Sequence, residues 1–166
     1  MKLYLLRHAT AADVALSDAA RELTREGREE ARIAGAALAN LGVKLSHILT
    51  SPLVRARQTA EIVARVLKFP ADVESLDELE NSTSTPSLLK ALKPLSSPNE
   101  ILLVGHMPSL SEHLAALIGA ESSGAFPLGK GSVACIELEH WRVGTGQLRW
   151  LMRQKQLQEI ADRWSD

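Results

Sequence analysis

The feature that most constrains the fold of this chain is an alternation of short apolar runs with longer stretches of helical period. Strand-length apolar runs lie at residues 3–6, 47–50 and 101–104. Apolar residues in the stretches between them recur every three to four positions, which is the spacing of one helix face. Strands that alternate with helices build a largely parallel sheet covered by helices. The sequence therefore predicts an α/β fold.

Capping residues predict where several helices begin and end. Thr24 is expected to cap a helix that ends near Gly42. Ser51 and Pro52 are expected as the cap and first residue of a second helix, which Pro70 ends. The remaining predicted elements are a short strand near 72–75, a helix around 88–92, a helix opened by Pro108, strands near 132–139 and 147–152, and a C-terminal helix with an apolar face of Leu157, Ile160, Ala161 and Trp164.

Composition indicates one globular domain, residues 1–166, because 45% hydrophobic and 23% charged residues can form a sizeable core. The net charge of -1 provides no broad basic surface for nucleic acid. No apolar run is long enough to span a bilayer or to form a signal peptide. Cys135 has no partner for an intramolecular disulfide, and no Cys/His group has zinc-site spacing. We expect a cytoplasmic protein without a membrane or nucleic-acid partner.

Basic side chains follow three of the predicted strands. Arg7 and His8 follow the first apolar run, His106 follows the run at 101–104, and Arg55 begins the helix after the second run. The carboxyl ends of parallel strands meet at one edge of a sheet, where ligands bind. Two arginines, two histidines and a helix N-terminus suit a phosphate group, and charge-assisted hydrogen bonds can hold it without a metal. The sequence predicts a phosphate pocket there.

Four spaced motifs carry a resemblance to a known family. "LRHA", "LTREG", "TSPLVRARQTA" and "LLVGHMP" occur in this order along nearly the whole chain. Together they resemble the histidine phosphatase superfamily, also called the phosphoglycerate-mutase-like fold, and the small size resembles its SixA-type phosphohistidine phosphatases. The resemblance implies a three-layer α/β/α sandwich with a mostly parallel central sheet. Thr24 and Gly27 match the second motif, and helix capping and packing explain both.

The resemblance also implies a mechanism. His8 is expected to be the nucleophile that becomes phosphorylated, while Arg7, Arg55 and His106 surround the phosphoryl group, with no metal or organic cofactor. The chemistry of these residue types agrees, because a neutral imidazole attacks phosphorus in line while cations neutralise the equatorial oxygens. We expect the second ring nitrogen of His8 to donate to a carbonyl just after it, where Ala9 replaces the family's usual glycine.

The proton donor has three candidates. Larger members of the family use a glutamate after the third strand, and Glu78 and Glu80 lie in that region. Asp18 is the third candidate, and pairing with an arginine is its alternative role. A phosphohistidine substrate has an imidazole leaving group that is easily protonated, so such a substrate tolerates a missing acid.

Three functions remain open at this point. The leading one is removal of a phosphoryl group from protein phosphohistidine, for example on a histidine phosphotransfer domain, because the segment between Pro70 and Glu100 is too short for a large lid. A phosphatase for small phosphate esters and a non-catalytic phosphate-binding module are the alternatives. Lys130 is expected in a glycine-rich loop as a solvated side chain or a residue over the pocket, Ser51 as a helix cap, and His113 without a catalytic role.

Overall fold

The computed structural model describes residues 1–95 and 100–163. They form six strands and five helices, with three short 3-10 turns. The elements in chain order are β1 (Lys2–Arg7), α1 (Arg25–Asn40), β2 (His47–Thr50), α2 (Val54–Val66), β3 (Glu74–Ser75), α3 (Thr85–Leu92), β4 (Glu100–Gly105), α4 (Ser109–Ile118), β5 (Val133–Leu138), β6 (Gly146–Met152) and α5 (Gln154–Asp162).

The strands form one mixed sheet in the order β3-β2-β4-β1-β5-β6. Strands β3, β2, β4 and β1 pair in parallel, while β5 runs antiparallel to both of its neighbours. This is the α/β fold with a mostly parallel sheet that the alternation predicts. The parallel strands end at a common edge, and the residues after β1, β2 and β4 therefore lie together.

Helices cover both faces of the sheet because alternate side chains of its central strands are apolar on both sides. Leu3 and Leu5 of β1 belong to the core under α3 and α4. Tyr4 and Leu6 belong to the core under α1, α2 and α5. The two cores make the sandwich three layers thick, as predicted, and they hold the ends of the central strands rigidly.

Local signals predicted α1 well. The Thr24 hydroxyl accepts a hydrogen bond from the Gly27 amide at 3.0 Å, which is the expected cap. Gly42 adopts a φ of 72° just after the helix, where glycine has no steric penalty. An added Cβ on Gly27 would lie 1.9 Å from the Thr10 carbonyl oxygen, so the helix directly abuts the loop that follows β1.

The predicted start of α2 is wrong by two residues. The helix begins at Val54, with Leu53 at the cap position and no side-chain cap, and Ser51 and Pro52 lie outside it. The serine-proline pair resembles a helix start locally, but the Ser51 side chain has a tertiary partner, described below.

The C-terminal helix α5 packs against the body of the protein. Leu157 and Ala161 lie in the core beneath α1, and the Asn40 side chain donates to the Ile160 carbonyl at 3.0 Å. Trp164, predicted on the same face, lies outside the described residues. Within residues 1–95 and 100–163, no helix is long and apolar enough to cross a membrane.

Candidate active site

The four residues predicted to form a phosphate pocket meet at the carboxyl edge of the sheet. Arg7 ends β1 and His8 follows it, while His106 follows β4 and Arg55 lies in the first turn of α2. Since β1 and β4 pair directly, with Arg7 opposite Gly105, the two histidines lie side by side. Their ring centroids are 5.0 Å apart.

His8 is held as a neutral ring with one free nitrogen. Its Nδ1 lies 2.8 Å from the Ala9 carbonyl oxygen, which can only accept, so Nδ1 carries the proton and Nε2 has a free lone pair. Burial is the main cause that lowers the pKa of His8 to about 4; the positive charges of Arg55, Arg7 and Lys130 act in the same direction, and the Ala9 hydrogen bond acts against them. The ring is therefore uncharged at neutral pH.

His106 bonds to the side chain that sequence analysis assigned to a helix cap. Its Nε2 lies 2.8 Å from the Ser51 hydroxyl, which also accepts from the Leu53 amide at 3.3 Å. Since no other acceptor for the Ser51 hydroxyl proton is found among the described residues, we assign that proton to the bond with Nε2, and the ring proton of His106 to Nδ1. Burial, followed by the nearby His8 and Arg55, lowers the pKa of His106 to about 3. Ser51 thus orients a neutral His106.

Both arginines are fixed by backbone carbonyls. Arg55 is 7% exposed, and its Nη1 donates to the Asp18 carbonyl at 2.8 Å. Its Nη2 donates to Asp18 Oδ2 at 3.1 Å. Arg7 Nη1 donates to the Leu128 carbonyl at 3.0 Å, and burial lowers the pKa of Arg7. These hydrogen bonds fix the orientation of both guanidinium groups before any ligand binds.

Three buried nitrogens of this cluster have hydrogen-bonding capacity left over. They are Nε of Arg7, Nε of Arg55 and Nδ1 of His106, none of which has a hydrogen-bond partner among the described residues. Unpaired buried donors are costly and rare in folded proteins. Donors of this kind around a free imidazole nitrogen suit an anion with several oxygens, such as a phosphoryl group.

Thr59 supports the cluster from α2 and was missed in the sequence. Its hydroxyl accepts from the Ala9 amide at 3.1 Å and donates to the Arg55 carbonyl at 2.7 Å. The available signal is its position four residues after Arg55, which places both residues on one helix face. Thr59 therefore links the backbone after His8 to the turn that carries Arg55.

Alanine in place of glycine at position 9 is accommodated by an apolar pocket. The Ala9 side chain is fully buried and belongs to a small apolar cluster with Ala11, Leu23 and Ala31. The methyl group thus has space in the core, and the Ala9 carbonyl oxygen lies 2.8 Å from His8 Nδ1.

The three candidate proton donors lie in different surroundings. Asp18 is 67% exposed and bonds to both Arg21 and Arg55. Hydrogen bonds from Arg21, followed by those from Arg55, lower the pKa of Asp18, so its carboxylate stays ionised. Glu78 lies in a 3-10 turn and Glu80 directly follows it; both are half-buried, and among the described residues neither bonds to the four pocket residues.

His113 and Lys130, also singled out in the sequence, lie outside the cluster of four residues. His113 is buried, and its Nδ1 lies 2.9 Å from the Thr85 hydroxyl. Lys130 is exposed on the loop before β5, and its charge acts on the His8 ring. In the described part of the chain, no group of three or more His, Cys, Asp or Glu side chains is placed to hold a metal ion.

The fold and the motifs define a histidine phosphatase. The family model of the histidine phosphatase superfamily (branch 1) matches residues 3–83. The phosphohistidine phosphatase SixA of Escherichia coli (strain K12) is 30% identical over 154 residues, covering 92% of this chain and 93% of that protein. The chain belongs to the histidine phosphatase superfamily and is a phosphatase enzyme.

Solved structures agree with this assignment. The protein histidine phosphatase SixA complexed with tungstate matches with a TM-score of 0.85 and 29% identity, covering 95% of this chain and 99% of that one. The alpha-ribazole phosphatase from Shigella flexneri has the same fold, with a TM-score of 0.76 and 21% identity over 93% of this chain and 97% of that one. The predicted phosphoglycerate-mutase-like fold is thereby confirmed.

Proposed function

We propose that this phosphatase removes the phosphoryl group from protein phosphohistidine through a covalent intermediate on His8. The observation that carries the proposal is the 2.8 Å contact between His8 Nδ1 and the Ala9 carbonyl, because it leaves Nε2 as a lone-pair nucleophile among unpaired buried donors. The similar SixA protein has been solved with tungstate, a tetrahedral oxyanion like phosphate.

In the first step, Nε2 of His8 forms a bond to phosphorus as the bond between phosphorus and the leaving group breaks. The guanidinium groups of Arg7 and Arg55 and the Nδ1–H of His106 stabilise charge on the equatorial oxygens. The phosphorylated His8 ring then carries its proton on Nδ1, where the Ala9 carbonyl stabilises the positive charge. In the second step, water attacks phosphorus and His8 leaves as the neutral ring with which it began.

A phosphohistidine substrate needs little help from a carboxylic acid. Its imidazole leaves as a neutral ring when the second nitrogen already carries a proton, whereas an alkoxide leaving group must take up a proton during the step. Asp18 is ionised between two arginines, which makes it a positioning group for Arg55 rather than an acid. Glu78 and Glu80 are the candidates for protonating an ester leaving group.

The packing of helix α3 into the core favours a protein substrate. Helix α3 is the longest element of the described segment between β3 and β4, and its Leu88, Leu89 and Leu92 pack into the core against the sheet. A helix that is committed to the core is not available to close over a small substrate. A protein surface, in contrast, needs no lid to exclude water from the edges of the pocket.

The test compares phosphate release from a phosphorylated histidine phosphotransfer domain with release from small phosphomonoesters such as phenyl phosphate. We expect kcat/KM to be at least about a hundredfold higher for the protein, since an ester leaving group lacks an efficient acid. Wild-type enzyme quenched with SDS at alkaline pH should carry a phosphate label that is stable to base and lost in acid, while His8→Asn should carry none and release no phosphate. Hydrolysis by His8→Asn at the wild-type rate would overturn the nucleophile assignment.

A higher kcat/KM for the small ester would identify a phosphomonoesterase instead. The acid would then be sought with Glu78→Gln and Glu80→Gln, measured separately on the ester. Binding of phosphate without turnover of either substrate class would identify a binding module.

A further inference from the structure

A cavity of about 430 Å³ adjoins the pocket on the side of Arg7 and is lined by basic side chains. Lys130, Arg153 and Lys155 contribute to its wall together with Arg7, and none of the described residues that line it is an aspartate or glutamate. This concentration of positive charge contrasts with the net charge of -1 of the whole chain. The cavity is thus a local anion-attracting region that shares Arg7 with the phosphate pocket.

The topology of the sheet explains why these cations meet there. Met152, the last residue of β6, pairs with Val133, and Val133 pairs with Leu6 next to Arg7. The residues after β6 and those before β5 therefore reach the same edge of the sheet as the pocket. They form what we call the basic rim, consisting of Lys130, Arg153 and Lys155.

The backbone of the basic rim is fixed to the pocket. The Gly131 amide donates to the Arg7 carbonyl at 3.1 Å. The Gln154 side chain donates to the Gly131 carbonyl at 2.8 Å and to the Glu30 carbonyl at 3.1 Å. Because Gly131 follows Lys130 and Gln154 lies between the other two cations, these bonds hold the rim in place before binding. Preorganisation of this kind reduces the cost of association.

The charges of the basic rim are not neutralised internally. Within residues 1–95 and 100–163, none of its three side chains takes part in an ion pair, and all three are exposed. Asp18 on the loop before α1, in contrast, is already bonded to Arg21 and Arg55. The free positive charge at the mouth of the pocket therefore lies on the rim side.

Two exposed apolar side chains distinguish a protein ligand from a small anion. Val14 and Leu16, on the loop that leads to Asp18, are 90% and 104% exposed. Since Asp18 bonds to Arg55, this loop also borders the pocket. Exposed apolar side chains next to a binding site are typical of surfaces that a partner protein covers.

We propose that the phosphoryl group enters this site from an acidic protein surface, on which carboxylates near the phosphorylated residue pair with Lys130, Arg153 and Lys155 while an apolar side chain covers Val14 and Leu16. The proposal rests on the proposed function and adds what the substrate must carry around its phosphoryl group. The rim provides long-range attraction and orientation, and the pocket provides the chemistry.

The test uses two synthetic peptides with one phosphohistidine each, flanked by glutamates in one peptide and by glutamines in the other. For the wild-type enzyme in 20 mM NaCl, we expect a kcat/KM about tenfold higher for the acidic peptide, falling toward parity in 300 mM NaCl as salt screens exposed pairs. The Arg153→Gln/Lys155→Gln double variant should lose most of this preference. Lys130 is left intact because its charge also acts on His8.

A matched control removes the same charges at the opposite edge of the sheet. Lys90 and Arg142 are exposed and line a separate cavity near the turn between β5 and β6. The Lys90→Gln/Arg142→Gln double variant should keep the wild-type preference for the acidic peptide. An equal loss in both double variants, or no preference in the wild type, would overturn the role of the rim.

Two further measurements separate the remaining outcomes. If the wild type hydrolyses neither peptide, the proposed function fails. The role of the rim is then tested by fluorescence anisotropy with fluorescently labelled forms of the two peptides, and it requires tighter binding of the acidic peptide. The second measurement compares 2-carboxyphenyl phosphate with phenyl phosphate. The Arg153→Gln/Lys155→Gln variant could lose as much preference for 2-carboxyphenyl phosphate over phenyl phosphate as it loses for the acidic peptide. The rim would then bind the carboxylate of a small phosphate ester, and the proposal of an acidic protein substrate would be refuted.

Discussion

The hydroxyl group of Thr59 accepts a hydrogen bond from the Ala9 amide at 3.1 Å, which fixes the backbone directly after His8. The same hydroxyl donates to the Arg55 carbonyl at 2.7 Å. One buried side chain therefore sets the distance between the proposed nucleophile and one of the arginines proposed to bind the phosphoryl group.

Replacing Thr59 by valine should loosen the site while preserving its shape. The Ala9 amide would lose its acceptor in a buried position, so we expect a loss of about 1–3 kcal/mol in the free energy of unfolding. A misplaced carbonyl at Ala9 should also lower kcat/KM about tenfold or more. Urea unfolding and phosphate release measure the two effects. Thr59→Ser keeps the hydroxyl and should retain most of the activity, and a valine variant as active as wild type would contradict the proposed role.

Removal of the Ser51 hydroxyl should affect catalysis through His106. In Ser51→Ala the imidazole loses the partner that keeps the proton on Nδ1, so we expect kcat/KM to fall roughly tenfold to a hundredfold. Nitrogen NMR of His106 should show a change in the tautomer population. Ser109→Ala is a matched control, because Ser109 is equally buried and bonds to the Ser82 amide at 3.0 Å instead of a histidine. A similar fall in both variants would indicate a general packing defect.

The pH dependence should reveal the lowered pKa values of the two histidines. With pKa values of about 4 for His8 and about 3 for His106, both rings stay neutral far below the ordinary histidine value of about 6.5. After correction for ionisation of the substrate phosphate, kcat/KM should be constant from pH 7 to about 5 and fall as the pair titrates below that.

NMR titration of the free protein checks this directly. Removal of a positive charge near His8 should raise its pKa, so Lys130→Ala should titrate at a higher pH than the wild type. A midpoint near 6.5 in the wild type would contradict the buried, arginine-flanked environment of the ring.

His113 should make the protein sensitive to acid without any part in catalysis. Burial lowers its pKa to about 4 in the folded state, whereas the unfolded chain binds the proton near 6.5. Its contribution to stability is therefore complete above about pH 6.5 and is lost as the pH falls toward 4. At pH 5 the loss in the free energy of unfolding amounts to about 2 kcal/mol.

The variant His113→Leu should show a shallower decline of unfolding free energy between pH 6.5 and 4. His140→Ala provides the control, since it also removes one histidine, from an exposed position on the turn after β5. If the unfolding free energies of His113→Leu and wild type declined equally with pH, the folded protein would bind the His113 proton as readily as the unfolded chain does.

Sequence reasoning predicted the strands and the gathering of the four residues because both depend on local patterns. Buried parallel strands are continuous apolar runs, and His8 and His106 follow them directly. The partners of these residues depend on contacts across long sequence separations. Ser51 reaches His106 over 55 residues and Thr59 reaches Ala9 over 50. The hydrophobic periodicity of a sequence carries no information about such distant pairs.

Local rules failed where a tertiary contact replaced a local one. Ser51 followed by Pro52 has the composition of a helix start, yet the Ser51 hydroxyl bonds to His106 and the helix begins at Val54 without a side-chain cap. The grouping of the basic rim was equally unpredictable, because Lys130 and Arg153 come together only through the antiparallel pairing of β5 and β6.

The contact between Gly27 and Thr10 sets a limit on how this protein can vary. Any side chain at position 27 would begin 1.9 Å from the Thr10 carbonyl oxygen, and Thr10 also bonds to Glu30 through its amide at 2.7 Å. Helix α1 and the loop after His8 consequently form one mechanical unit. A library of substitutions at Gly27 should therefore yield no active clones, whereas positions on the exposed face of α1, such as Arg28, should accept most residues.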